Sequence, residues 1–116
     1  MFLDNKKIFL AGATGMAGMG ILRYILSNFP NLEIRAAYHN SPPVIQHKQI
    51  DYVHGDLRSL DDCRRMARGS DCAIMAAAYT GGTDFTNQFP WEHMKENLLM
   101  NIQMLEAFRL ENIKRI

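Results

Sequence analysis

The chain has little that points to disulfides, metals, membranes or polyanions. Its two cysteines, Cys63 and Cys72, are too few for a disulfide framework. Cys63 falls in a helical pattern and Cys72 opens a strand, so both are read as reduced thiols in or near the core. That usage fits a reducing cytoplasm. No apolar stretch reaches the roughly 20 residues that span a bilayer. The N-terminal Met1-Phe2-Leu3-Asp4-Asn5-Lys6-Lys7 has no apolar segment of signal-peptide type. An excess of one charge is also missing. Thirteen Lys and Arg stand against 12 Asp and Glu, a formal net charge of +1, which argues for neither nucleic acid nor a membrane surface. Arg64, Arg65 and Arg68 alternate with Asp61, Asp62 and Met66 and read as a solvated helix face. His47, His54 and His93 lack ligand spacing with either cysteine, so no metal site is expected. There is no repeat, low-complexity segment or linker.

What is present is a small core-forming chain. At 116 residues, 47% of them apolar, residues 1–116 form at most one small domain with a packed core. Strand and helix signals alternate. Lys7 to Ala11 reads as a buried strand. Met16 to Phe29 reads as a helix, with Ala17, Ile21, Ile25 and Phe29 near helical spacing. Glu33 to Tyr38 and Gln49 to His54 read as strands, separated by the loop Asn40-Ser41-Pro42-Pro43. Ser59 is the expected N-cap of a helix reaching Arg68, with Gly69 as its stop. Asp71 to Ala78 is a near-continuous apolar run expected to be buried on both faces. Pro90 begins a long helix to about Glu111, whose inward stripe is expected to be Met94, Leu98, Ile102, Leu105 and Phe108 or Arg109, with Trp91 packing at its start. Lys114-Arg115-Ile116 looks like the entry to a fifth strand. This order predicts an α/β fold, a Rossmann-type doubly wound parallel sheet of order 3-2-1-4, truncated at about strand 5.

The most informative segment is Gly12-Ala13-Thr14-Gly15-Met16-Ala17-Gly18, directly between the first strand and the first helix. Glycines at this spacing permit a tight turn, a close approach of backbone N–H groups to a pyrophosphate, and close helix–strand packing. The helix that follows offers its positive dipole end to an anion. A structural turn is the bland alternative. No Gly-Lys-Ser/Thr follows, which excludes a P-loop. In a sheet of this order ligands bind beyond the carboxyl ends of the strands. Gly12 to Gly18, Tyr38 to Asn40, Gly55-Asp56 and Ala76 to Gly82 all fall there.

Together these residues resemble the extended short-chain dehydrogenase/reductase family of NAD(P)-dependent sugar-nucleotide epimerases, dehydratases and reductases. The resemblance covers the chain from Lys7 onward. Gly12, Thr14, Gly15, Met16, Ala17 and Gly18 match the family's GxxGxxG turn. Asp56 and Leu57 match an element that in the family lies against the adenine, although Asp56 reads equally well as a helix cap. Ala76, Ala77 and Ala78 match the small-residue strand end that lines the cofactor. Asn97 with Leu105-Glu106-Ala107 is similar to the family's fourth-helix pattern and implies a supporting role for Asn97 near the catalytic lysine; a sheet-facing polar residue is the alternative. Gly81 and Gly82 resemble a loop of the GDP-fucose synthase-like branch that borders the sugar-nucleotide substrate, and read equally as turn glycines.

The family's chemistry uses a Ser or Thr and a Tyr-x-x-x-Lys pair. Tyr24, Tyr38, Tyr52 and Tyr79 are followed four residues later by Asn28, Pro42, Asp56 and Thr83. No catalytic residue is therefore carried over, and the chain looks like the first part of a longer enzyme. It is expected to bind cofactor but not to turn over alone. The cofactor expectation is NADP before NAD, because Tyr38-His39-Asn40-Ser41 offers no carboxylate for a ribose and His39 and Asn40 can donate to a phosphate. The family also implies a nucleotide-sugar substrate and a homodimer. A non-catalytic dinucleotide-binding or redox-sensing module is the other reading.

Overall fold

A computed structural model describes residues 4–78 and 87–116. Among these residues seven elements follow in order: β1 (Lys7–Ala11), α1 (Met16–Asn28), β2 (Glu33–Tyr38), β3 (Ile50–His54), α2 (Leu60–Ala67), β4 (Cys72–Met75) and α3 (Pro90–Leu110). The four strands are parallel and ordered β3-β2-β1-β4, as the sequence predicted. β1 is the central strand because its side chains suit both faces. Ile8, Phe9, Leu10 and Ala11 are all buried. Alternation along the strand sends Phe9 and Ala11 into one layer with Met66, Met104 and Phe108. Ile8 and Leu10 go into the other, with Leu22, Ile25 and Ile34. Phe9 meets Phe108 edge to face, with centroids 5.8 Å apart.

Local signals set the boundaries. Ser59 caps α2 as expected, its hydroxyl accepting from the Asp62 N–H at 3.2 Å. Gly69 follows the helix with φ +81°, a backbone setting that Gly adopts without strain. Pro90 occupies the first turn of α3. Arg115 bridges in parallel to Cys72, and the Ala73 N–H donates to the Arg115 carbonyl at 2.9 Å, so the expected fifth strand begins beside β4. Cys63 and Cys72 are both buried free thiols, and burial pushes the Cys63 thiol up to about 11. No helix among the described residues is long and apolar enough to cross a membrane.

Several expectations need correction. β4 stops at Met75, and of its residues only Cys72 and Ala73 are buried. The buried face of α1 is Gly18, Leu22 and Ile25, with Ala17 exposed. The larger correction concerns α3. Its inward stripe is Met100, Met104, Ala107 and Phe108. Of the expected stripe only Phe108 turns inward; Met94 is 48% exposed, Leu98 51%, Ile102 61% and Leu105 47%, and Trp91 is exposed beside them. The helix carries two apolar stripes, and periodicity alone does not say which one meets the sheet. The arginines of α2 are not simply solvated. Arg64 and Arg68 both pair with Glu111 at the end of α3, at 2.9 and 3.0 Å.

The two stripes make a direct prediction. Phe108→Ala should destabilise the protein by about 3–5 kcal/mol, the usual cost of emptying a buried aromatic position. In the single, dilute chain Ile102→Ser should change stability by no more than about 0.5 kcal/mol. Denaturant midpoints at constant m-value measure both, and the reverse order would invert the assignment of the helix faces.

Candidate functional site

The carboxyl ends of all four strands open on one cleft of about 470 Å³. Its lining comes from five segments: Gly12 with Thr14 to Ala17, Ala37 to Ser41, Gly55 to Arg58, Ala76 to Ala78, and Glu96 with Met100 of α3. Main-chain hydrogen bonds fix these loops to the strands. The Ala13 N–H donates to the Ala37 carbonyl at 3.1 Å, Gly55 to Tyr38 at 3.1 Å, and Ala76 to Ala11 at 3.0 Å.

The glycines divide their work. Gly12 has φ +81°, and a Cβ there would sit 2.6 Å from the Ala77 backbone. A Cβ on Gly18 would fall 1.9 Å from the Gly12 carbonyl oxygen. Gly18 is buried and packs the helix onto the turn rather than lining the cleft. Gly15 differs from both. Among the described residues a Cβ there would meet only the Gly12 oxygen, at 3.5 Å, so space beside the turn is left open. Gly15 is also the N-cap of α1, has no side-chain capping bond, and the first turn holds no acidic residue. The unpaired N–H groups and positive dipole end of α1 therefore face the cleft unneutralised.

The wall opposite is built on charge pairs. Asp56 does not cap α2, since Ser59 does. Its carboxylate accepts from the Arg58 N–H at 2.9 Å and from the Arg58 guanidinium at 2.8–3.3 Å. Arg58 reaches on to Glu96 of α3 at 3.1 Å. The hydrogen bond from Arg58 outweighs burial and holds the Asp56 carboxyl down at about 2, from an ordinary 3.8; both carboxylate partners raise the Arg58 guanidinium. At the end of β2, His39 and Asn40 are exposed on the rim. Arg35 turns away, donating to the Arg68 carbonyl at 3.1 Å and lying 3.7 Å from Asp51.

Of the residues singled out in the sequence, Gly12, Thr14, Gly15, Met16, Ala17, His39, Asn40, Asp56, Leu57, Ala76, Ala77 and Ala78 converge on this cleft. Gly81 and Gly82 lie outside the described residues. Asn97 does not line the cleft; its amide donates to the His93 carbonyl at 2.8 Å on its own helix. Sequence reasoning missed Arg58, Glu96 and Met100. Arg58 directly follows the Gly55-Asp56-Leu57 element. Glu96 and Met100 are four residues apart on the inward side of α3, a signal hidden by the choice of the other stripe.

A family model for NAD dependent epimerases/dehydratases matches residues 8–116. The chain belongs to the NAD dependent epimerase/dehydratase family. It is 28% identical over 113 residues to GDP-mannose 3,5-epimerase of Arabidopsis thaliana, a match covering 97% of this chain and 30% of that protein. GDP-mannose 3,5-epimerase 1 of Oryza sativa subsp. japonica is 27% identical over the same shares. The chain thus spans about 30% of the length of the curated relatives it matches. Among solved structures, Pen from Bacillus thuringiensis superposes with a TM-score of 0.80 at 23% identity, covering 98% of this chain and 36% of that one. DesIV, a dTDP-glucose 4,6-dehydratase from Streptomyces venezuelae, gives 0.77 at 18% identity, over 91% and 36%. At these identities the structures show the shared fold, which is the epimerase/dehydratase family's parallel α/β sheet.

The charge pairs of the cleft wall are testable. With its carboxyl held low, Asp56 contributes stability that is complete above pH 3.8 and is lost as the pH falls towards 2. In Arg58→Gln the Asp56 carboxyl carbon should titrate near 3.8 by NMR instead of near 2, and the loss of stability that Asp56 causes in acid should disappear, because folded and unfolded states then take up that proton together. An unchanged titration would mean that Arg58 does not hold Asp56.

Proposed function

We propose that residues 1–116 form the cofactor-binding portion of a nucleotide-sugar epimerase, dehydratase or reductase, preferring NADP to NAD. The observation that carries this reading is the uncapped N-terminus of α1 beside Gly15, opening on a cleft at the carboxyl ends of four parallel strands. The residues fit a dinucleotide. Backbone N–H groups from Gly12 to Ala17 hold the pyrophosphate. His39 and Asn40 take the adenosine ribose side. Asp56 and Leu57 lie at the adenine. Ala76, Ala77 and Ala78 give a smooth wall along the rest of the cofactor. In this reading Gly81 and Gly82 border the sugar nucleotide and Asn97 supports the reacting end. When bound, such a cofactor supplies or accepts a hydride at a sugar carbon.

The NADP preference rests on the end of β2. A carboxylate there favours a free ribose and repels a 2′-phosphate, and Tyr38 to Ser41 include none. Proton transfer needs a general acid–base group. None of the four tyrosines has a lysine four residues on, so these residues alone bind cofactor without turnover. The outward stripe of α3, from Trp91 to Leu105, is the face through which two copies pair. The buried free thiols Cys63 and Cys72 fit work in the cytoplasm.

Two measurements test this reading. NADPH and NADH titrations should both give saturable binding, tighter for NADPH. Gly15→Ala should keep the fold, at a cost of about 1 kcal/mol for the poorer cap, yet weaken both ligands by at least about tenfold, since its methyl enters the open space. Gly18→Ala should instead lose stability, because its Cβ collides with the Gly12 carbonyl. Binding unaffected by Gly15→Ala would remove the pyrophosphate from this turn. For the dimer, Ile102→Glu should shift the mass measured by light scattering from two copies to one; an unchanged mass would place the interface elsewhere.

A further inference from the structure

We propose that the sulfur of Met16 is a modification site for peroxides, and that its oxidation to the sulfoxide weakens the hold of the glycine turn on an anion. The site is read from the methionines of this chain; its effect on binding rests on the cofactor reading above.

The chain has eight methionines, and seven are among the described residues. Most do what methionine usually does, which is to fill gaps in a core. Met66 and Met104 are buried, and Met19, Met75 and Met100 are half-buried. Met94 is 48% exposed on the outward stripe of α3. Met16 stands apart at 91% exposure, and it lines the cleft. Helix geometry explains this. Met16 is the first residue of α1, and Gly18, two positions on, is on the buried face. Two steps turn a helix by about 200°, so Met16 is carried to the opposite side. Packing therefore gives no reason for a thioether here, and the side chain lies almost wholly in solvent.

Oxidation changes what this position offers. Hydrogen peroxide transfers one oxygen to the sulfur: its O–O bond breaks, an S=O bond forms, and the other oxygen leaves as water. The sulfur gives up two electrons and the peroxide takes them. A flexible apolar side chain becomes a polar one. Side chains on a helix lean towards its N-terminus, so at the first helical position the new oxygen is carried to the open end of α1. The N–H groups there have no capping side chain, and the first turn holds no acidic residue. A sulfoxide oxygen takes these donors from within the chain, and an anion then has to displace it. Met94 does not line the cleft, so the same reaction there leaves the turn as it was.

The thiols compete poorly for peroxide. Cys63 and Cys72 are buried. Burial pushes the Cys63 thiol up to about 11, which leaves little of the reactive thiolate at neutral pH. The modification is also reversible. Methionine sulfoxide reductases return the sulfoxide to the thioether; two thiols become a disulfide and the oxygen leaves as water.

The test treats the protein with limiting hydrogen peroxide, removes the excess with catalase, and maps the methionines by peptide mass spectrometry. Met16 should be oxidised before Met94, and well before Met66 and Met104. NAD and NADP are then titrated in their oxidised forms, which carry no hydride for peroxide to consume. Binding of both should weaken by about tenfold once Met16 is converted. The two reductases, one for each sulfoxide epimer, should restore it with dithiothreitol. Dithiothreitol alone, which reverses disulfide formation, should not. Met94→Leu should stay sensitive to peroxide. Met16→Leu should have the same affinity before and after peroxide, whatever its starting value. Met16→Gln, which carries an amide oxygen at similar reach, should bind like the oxidised protein without any peroxide. If Met16→Leu binds too weakly to titrate, the return of affinity in step with the return of Met16 during reduction carries the assignment. Oxidation of Met94 ahead of Met16 overturns the site. Full binding by protein oxidised at Met16, or sensitivity that persists in Met16→Leu, overturns its effect while leaving dinucleotide binding intact. No binding before peroxide overturns the cofactor reading and the effect with it, and the peptide map still judges the site.

Discussion

The structure depends on a place where three backbones meet without room for a methyl group. The Gly12 turn touches the main chain at Ala76 and Ala77 on one side and receives Gly18 of α1 on the other. This double contact sets how closely α1 approaches β1 and how the chain leaves β4. It also brings the start of α1 level with the strand ends rather than above or below them. A helix held further out would still pack Leu22 and Ile25, but its free N–H groups would no longer overlook the cleft. Fold and site are thus joined through steric exclusion before any charge is considered.

Charge then differentiates the two ends of the cleft. At the α1 end, positive potential comes from backbone groups that nothing caps. At the β3–α2 end, a cationic side chain is present but its charge is answered by Asp56 and Glu96. A ligand that sets an anionic group against the glycine turn suits this arrangement. Glu96 also ties α3 to the cleft wall, while Glu111 ties its far end to α2 through Arg64 and Arg68.

Much of this was legible in the sequence because the signals were local. The alternation of strand and helix patterns gave the parallel sheet and its order. The Ser59 cap, the Gly69 stop and Pro90 gave helix ends through turn-scale chemistry. The glycine turn located the cleft, and the strand-end rule supplied most of its lining. What was not legible depended on partners distant in sequence. Met94, Leu98, Ile102 and Leu105 obey helical spacing as well as Met100, Met104 and Phe108 do, and only the facing surface of Phe9 and Met66 decides between them. Arg58 and Glu96 are 38 residues apart, so no spacing rule joins them. For Asp56, the sequence left open a cap or a ligand contact; the structure spends the cap on Ser59 and the carboxylate on Arg58.

The two-striped helix constrains how this chain tolerates change. Successive residues of α3 are rotated by about 100°, and its 21 residues are divided between a side reaching the cleft, a side in the core and a side facing out. A single substitution touches one of these. Adding or removing one residue ahead of Glu96 would turn every later position by the same angle. Glu96 would leave Arg58, Phe108 would leave Phe9, and the outward stripe would rotate towards the sheet together. In α3 the count of residues is therefore less negotiable than their identity, whereas the loop from Asn40 to Lys48 has no comparable phase to keep.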